Sequence, residues 1–131
     1  MIFVDSNVPM YLVGAQHPLK DRALAVVARL LRDGEELVTD VEVYQEILHR
    51  YTAIRQPAAI DSAFATLDAI APDVLTFGMP EIRRARAVID SVSGLSARDA
   101  LHVAIMERAG IDRILSFDQG FDQCPGITRL S

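Results

Sequence analysis

The sequence has a single cysteine, Cys124, no tryptophan and one lysine, Lys20. A lone thiol closes no internal disulfide, and with no Cys and His cluster around it nothing points to a zinc or iron–sulfur site. A reducing compartment is the expectation. Apolar runs are short: Ala23–Ala28 falls far below the roughly 18 residues that span a bilayer. The start, Met1-Ile2-Phe3-Val4-Asp5, carries no basic leader before its apolar residues. A cytoplasmic protein with no membrane partner is expected. Gly and Pro are few and scattered, with no stretch long enough to separate two domains and no internal repeat, so residues 1–131 are read as one domain. Gly-rich phosphate loops and Gly-flanked nucleophilic serines are also missing, which removes P-loop, dinucleotide-binding and hydrolase-elbow chemistry.

Positive charge is scarce as well. Thirteen Lys plus Arg against eighteen Asp plus Glu give a net −5, so bulk attraction to nucleic acid is excluded and any such contact must be local. The grouped Arg83, Arg84 and Arg86 read as a solvated helix face. Half of the residues are apolar and 24% are charged, the balance of a globular chain that buries roughly two thirds of its unfolded surface.

Two hydrophobic periods alternate along the chain. Ile2-Phe3-Val4 is a short apolar run without polar alternation, as in a strand buried on both faces, and it ends at Asp5. No element is assigned from there to Lys20. The spacing of Leu24, Val27, Ala28, Leu30 and Leu31 predicts a helix over 20–32, stopped by Asp33-Gly34. Leu37-Val38 is a second strand. Thr39 with Glu42 has the form of a capping box opening a helix to about Tyr51, and Pro57 opens another that Pro72 stops. Val74 to Phe77 reads as a third strand, Pro80 starts a helix that fades near Ser93-Gly94, and Ser96 with Asp99 caps a helix ending at Gly110. Arg113 to Phe117 is a fourth strand, and a last one lies near Ile127 to Leu130. Such alternation predicts βαβ units: a three-layer α/β/α sandwich with a mostly parallel sheet.

Ligands of open parallel sheets bind beyond the carboxyl ends of the strands. The residues there are acids. Asp5 follows the first strand and Asp118 the fourth, Asp40 and Glu46 lie after the second, and Asp99 sits in the first turn of a helix whose N-terminus points to the same rim. Each has a plainer reading alone: a turn or cap for Asp5 and Asp118, a capping-box partner of Ser96 for Asp99, and a solvated face shared with Glu42 for Glu46. Jointly they would repel unless a cation sat among them, and an all-oxygen donor set selects Mg²⁺ or Mn²⁺ over zinc. That is the logic of metal-dependent phosphodiester hydrolysis. A phosphate-receiver domain needs a lysine near its acids, and Lys20 sits in the first helix instead. His102, three residues after Asp99, reads as a half-buried structural histidine. Cys124 lacks a nearby base and has no catalytic reading.

These residues resemble the PIN-domain ribonucleases and, among them, the VapC toxins of VapBC toxin–antitoxin pairs. The resemblance covers nearly the whole chain. It rests on Ile2-Phe3-Val4-Asp5-Ser6-Asn7, on Glu46 within Val43-Tyr44-Gln45-Glu46-Ile47-Leu48, on Leu95-Ser96-Ala97-Arg98-Asp99-Ala100-Leu101-His102, and on Ile114-Leu115-Ser116-Phe117-Asp118-Gln119-Gly120-Phe121. It implies an acidic quartet of Asp5, Glu46, Asp99 and Asp118, with Asp5, Asp99 and Asp118 as ligands of Mg²⁺ or Mn²⁺ and Glu46 placing water. Asn7 and Ser116 would steady these acids by hydrogen bonds, Ser116 standing where threonine is more usual. A one-turn shift would exchange Glu46 for Glu42, and Asp122 is a possible fifth acid. The resemblance also implies an RNA substrate, a VapB-type antitoxin and a homodimer, with Arg98 able to meet phosphate. Two other readings compete: a PIN-like module that binds RNA or protein without cutting, and a small metal-dependent phosphohydrolase.

Overall fold

A computed structural model describes residues 1–131. Its strands are β1 (Ile2–Val4), β2 (Leu37–Asp40), β3 (Asp73–Leu75), β4 (Arg113–Leu115) and β5 (Thr128–Leu130). The helices are α1 (Asn7–Val13), α2 (Pro18–Arg32), α3 (Val41–Ala53), α4 (Pro57–Ile70), α5 (Met79–Ser91) and α6 (Ala97–Ala109), and a 3₁₀ turn spans Gln119–Gln123. The sheet order is β3-β2-β1-β4-β5 with every pairing parallel, so the mostly parallel sheet expected is wholly parallel.

This order sets the layers. From β1 to β2 to β3 the chain steps one way across the sheet, and from β3 to β4 it steps back. Right-handed crossovers therefore put α1–α4 on one face and α5 with α6 on the other, in keeping with the packing of α1 on α2 and α4, of α3 on α4, and of α5 on α6. The reversal falls between β1 and β4, the place where such sheets open a crevice at their carboxyl edge. Ile2, Phe3 and Val4 are fully buried, as a strand covered on both faces requires. No helix is long and apolar enough to cross a membrane.

Three local readings need correction. Residues 7–13 form α1, a seven-residue helix the periodicity did not reveal: Ser6 makes no side-chain cap, and Pro9 sits in the first turn, where its missing N–H costs nothing. Lys20 consequently lies in the second helix, not the first. Asp40 rather than Thr39 caps α3, accepting from the Val43 N–H at 2.8 Å, while the Thr39 hydroxyl donates across the sheet to the Val4 carbonyl at 3.0 Å.

The turn from α6 into β4 depends on Gly110, whose φ of 71° is left-handed. A Cβ there would meet nothing within 4 Å, so the cost of adding one is purely backbone conformational. Gly110→Ala is expected to lower unfolding stability by about 1 kcal/mol, read as a smaller urea midpoint at unchanged slope.

Candidate active site

Asp5 leaves the end of β1 and its backbone N–H bonds to the Leu115 carbonyl of β4 at 3.1 Å, so its carboxylate stands at the sheet reversal. It is only 3% exposed. Three donors hold it: the Ser6 N–H reaches Oδ1 at 2.7 Å, and the Ser116 hydroxyl (2.6 Å) and the Asn7 amide (3.1 Å) reach Oδ2. Ser116 in turn accepts from the Asp118 N–H at 3.0 Å and from the Asn7 amide at 3.2 Å. Asn7 closes the circuit by accepting from the Phe117 N–H at 3.3 Å. One network therefore links the β1 and β4 rims, with Asn7 and Ser116 on Asp5. Burial pushes Asp5 above the usual carboxylate range even though the His102 charge and the Ser116 bond pull it back.

Asp99 enters from the first turn of α6, where the Ser96 hydroxyl caps its backbone N–H at 3.1 Å. The capping reading is half right, because Ser96 caps the helix but its own backbone N–H donates no bond to the Asp99 carboxylate. Burial, then the charges of Asp5 and Asp118, push the Asp99 carboxyl up to about 7, against the downward pull of His102. Asp118 is exposed and turns its Oδ1 to the Gly120 N–H at 2.8 Å, so the expected turn cap is present as well.

Glu46 comes from the second turn of α3 and is buried. Burial alone would raise its carboxyl, but the hydrogen bond and charge of His102 outweigh it and hold the group below its ordinary value. Glu42, one turn earlier, instead lies 3.7 Å from the Arg98 guanidinium. Asp122 is taken by Arg129, with bonds of 2.8 and 3.0 Å, and stands apart from the cluster.

Sequence reasoning passed over one element here. His102 is not half-buried: its ring is fully enclosed, with Nδ1 2.7 Å from Asp40 Oδ2 and Nε2 2.9 Å from Glu46 Oε1. Asp40 thereby joins the site as both helix cap and imidazole partner. The i, i+3 spacing from Asp99 was the available signal, but α6 is buried continuously from Ala100 to Met106, so periodicity could not say which way the ring faced.

A carboxylate oxygen each from Asp5 and Glu46 and a ring nitrogen of His102 lie within 4.8 Å of one another. Both ring nitrogens are occupied by carboxylates, so His102 is unsuited to ligate a metal. The donors left to a cation are the oxygens of acids that repel one another, as Asp99 registers. That set fits a hard divalent ion.

A family model for the PIN domain matches residues 2–127. The chain is 50% identical to ribonuclease VapC13 of Mycobacterium tuberculosis over 131 residues, covering 100% of both chains. It is similar in fold to VapC20 of the same organism, described as a sarcin-ricin loop cleaving toxin, with a TM-score of 0.73 and 22% identity over 95% of each chain. VapBC2 from Rickettsia felis, bound to a DNA fragment from its promoter, gives a TM-score of 0.74 at 14% identity over 99% of this chain and 98% of that one.

Proposed function

The chain belongs to the PIN-domain family and, within it, to the VapC-type ribonucleases, and from that premise we propose that it is a Mg²⁺- or Mn²⁺-dependent endoribonuclease, the toxin of a toxin–antitoxin pair. The observation that supports metal dependence most directly is the cluster of acids at the sheet reversal, where Asp5 and Glu46 oxygens lie within 4.8 Å of each other and the Asp5 and Asp118 charges, after burial, push the Asp99 carboxyl up to about 7. An acid so placed gains most from a cation.

Asp5, Asp99 and Asp118 would hold the ion, with Asn7 and Ser116 keeping the Asp5 carboxylate in one orientation. When bound, a divalent ion supplies neutralisation of phosphate charge and a water of lowered pKa. Glu46, kept ionised beside Asp5, accepts a proton from the attacking water as the phosphodiester is hydrolysed. Arg98, one residue before Asp99 and 3.7 Å from Glu42, would meet a phosphate of the RNA substrate. A VapB-type antitoxin fits as partner, since the chain shares the fold of VapBC2, and the resemblance to VapC toxins supports a homodimer acting in the cytoplasm.

Incubating the full chain with total RNA and Mn²⁺ tests the reading. Discrete cuts are expected, lost by at least about 100-fold on chelation with EDTA and restored by excess Mn²⁺. Cutting that persists in EDTA, or none by folded protein saturated with Mn²⁺, would overturn it.

A further inference from the structure

Asp40 and His102, the buried groups that end on the Glu46 carboxylate, take no part in the chemistry described so far. We propose that His102 is a positioning residue for RNA cleavage: its imidazole, fixed between Asp40 and Glu46, sets the orientation of the Glu46 carboxylate beside Asp5. The proposal rests on the ribonuclease reading and deepens it.

Three observations carry it. First, both ring nitrogens are committed, Nδ1 to Asp40 Oδ2 at 2.7 Å and Nε2 to Glu46 Oε1 at 2.9 Å, with the ring and Asp40 both fully buried. A core histidine placed for packing alone needs one satisfied partner, and this one joins two carboxylates. Second, the far end of the chain is anchored. Asp40 Oδ1 accepts from the Val43 N–H at 2.8 Å as the cap of α3, so the ring is fixed against backbone and not against a mobile side chain. The Phe3 ring, 5.2 Å from the imidazole and tilted by 45°, limits its rotation. Third, the clamp holds α3 at two points, Asp40 before its first turn and Glu46 in its second, and the Glu46 oxygen it places lies within 4.8 Å of an Asp5 oxygen. Two carboxylates this close and this buried repel each other, and the imidazole is the cationic donor beside them. In keeping with that, burial opposes the ring's charge, yet its bonds to Asp40 and Glu46 hold it well above the ordinary histidine value.

The test needs both a spectrum and a rate. In ¹⁵N-histidine-labelled protein without metal, His102 should show two slowly exchanging ring N–H signals. Glu46→Gln should move the Nε2–H signal and leave the Nδ1–H in place. In the Mn²⁺ assay on total RNA, His102→Gln should slow the discrete cut about 10- to 100-fold, and Glu46→Gln about 100-fold. The double variant should fall no more than about threefold below Glu46→Gln alone, because a residue acting through Glu46 has nothing left to position. Mn²⁺ affinity of His102→Gln should stay within about threefold of wild type.

Losses that multiply in the double variant, a wild-type rate in His102→Gln, or a missing ring N–H signal would each overturn the proposal. Should His102→Gln fail to fold, Asp40→Asn takes its place. The amide oxygen still caps Val43 and its NH₂ donates to Nδ1, so the Nδ1–H signal should vanish while the Nε2–H signal stays bonded to Glu46. Loss of the Nε2–H signal as well would overturn the bridge. A wild type that cuts nothing sinks the ribonuclease reading and this proposal together, whereas cutting without the expected coupling sinks this proposal alone.

Discussion

Asp99→Asn should make the metal-free protein more stable at pH 8 while abolishing Mn²⁺-dependent RNA cleavage. The Asp99 carboxyl moves from an ordinary 3.8 to about 7 in the folded chain, through burial first and the Asp5 and Asp118 charges second. The folded state therefore binds a proton that the unfolded state has released between those values. The sign follows: wild-type stability falls as pH rises from about 4 to about 7, and the full penalty is present above 7. Three pKa units correspond to an upper bound of about 4 kcal/mol. Asp99 is only partly buried, so solvent screening reduces this to about 1–2 kcal/mol. Asparagine has no charge to desolvate and leaves the Ser96 cap on the backbone N–H intact. It forfeits part of the first-turn dipole gain, a few tenths of a kcal/mol. For 131 residues the net is a rise in Tm of several degrees at pH 8, shrinking toward zero at pH 4. Added Mn²⁺ should raise the Tm of wild type and leave that of Asp99→Asn unchanged. Thermal scans in EDTA at both pH values decide it: a variant less stable than wild type at pH 8 would show that Asp99 is held by favourable contacts instead of being strained for a ligand.

The position of the candidate acids at the sheet edge was readable because topology, not propensity, places them. Short apolar runs at residues 2–4, 37–38 and 113–117 each end in or near an acid, and a parallel sheet sends all such ends to one edge. Asp5 and Asp118 needed no more than that. What escaped was whatever depends on partners distant in sequence. His102 takes its meaning from Asp40 and Glu46, 62 and 56 residues away. No local pattern reports such pairings, and apolar neighbours on every side of α6 made the plain reading the natural one. The α3 cap was misassigned by one residue because Thr39 and Asp40 are both good caps, and the choice fell to the Val4 carbonyl, which takes the Thr39 hydroxyl. α1 was invisible for a different reason. Seven residues with a proline and no side-chain cap are below the length at which a helix is marked by its own sequence, and packing against α2 and α4 supplies what propensity lacks.

Asp5→Asn should also abolish cleavage, by at least about 100-fold, but with the opposite effect on stability. Here the carboxylate is surrounded by donors: the Ser6 N–H on Oδ1, and the Ser116 hydroxyl and Asn7 amide on Oδ2. An amide offers one oxygen. If it keeps the Ser6 bond, its NH₂ faces the Asn7 NH₂ and the Ser116 hydroxyl. That hydroxyl cannot simply turn to accept, since it already takes the Asp118 N–H and the Asn7 amide. If the amide turns the other way, a buried backbone N–H loses its partner. Either arrangement leaves a buried donor unmet, at about 1–3 kcal/mol. Removing a charge that burial disfavours returns part of this, so the expected net is a loss of about 1–2 kcal/mol and a Tm several degrees below wild type in EDTA at pH 8. The two acid-to-amide changes thus separate the two demands on the cluster. On this expectation Asp99 is kept at the expense of folding, for the proposed metal, whereas Asp5 also fastens β1 to β4 through Ser116. A Tm for Asp5→Asn above wild type, or cutting at the wild-type rate, would break that division of roles.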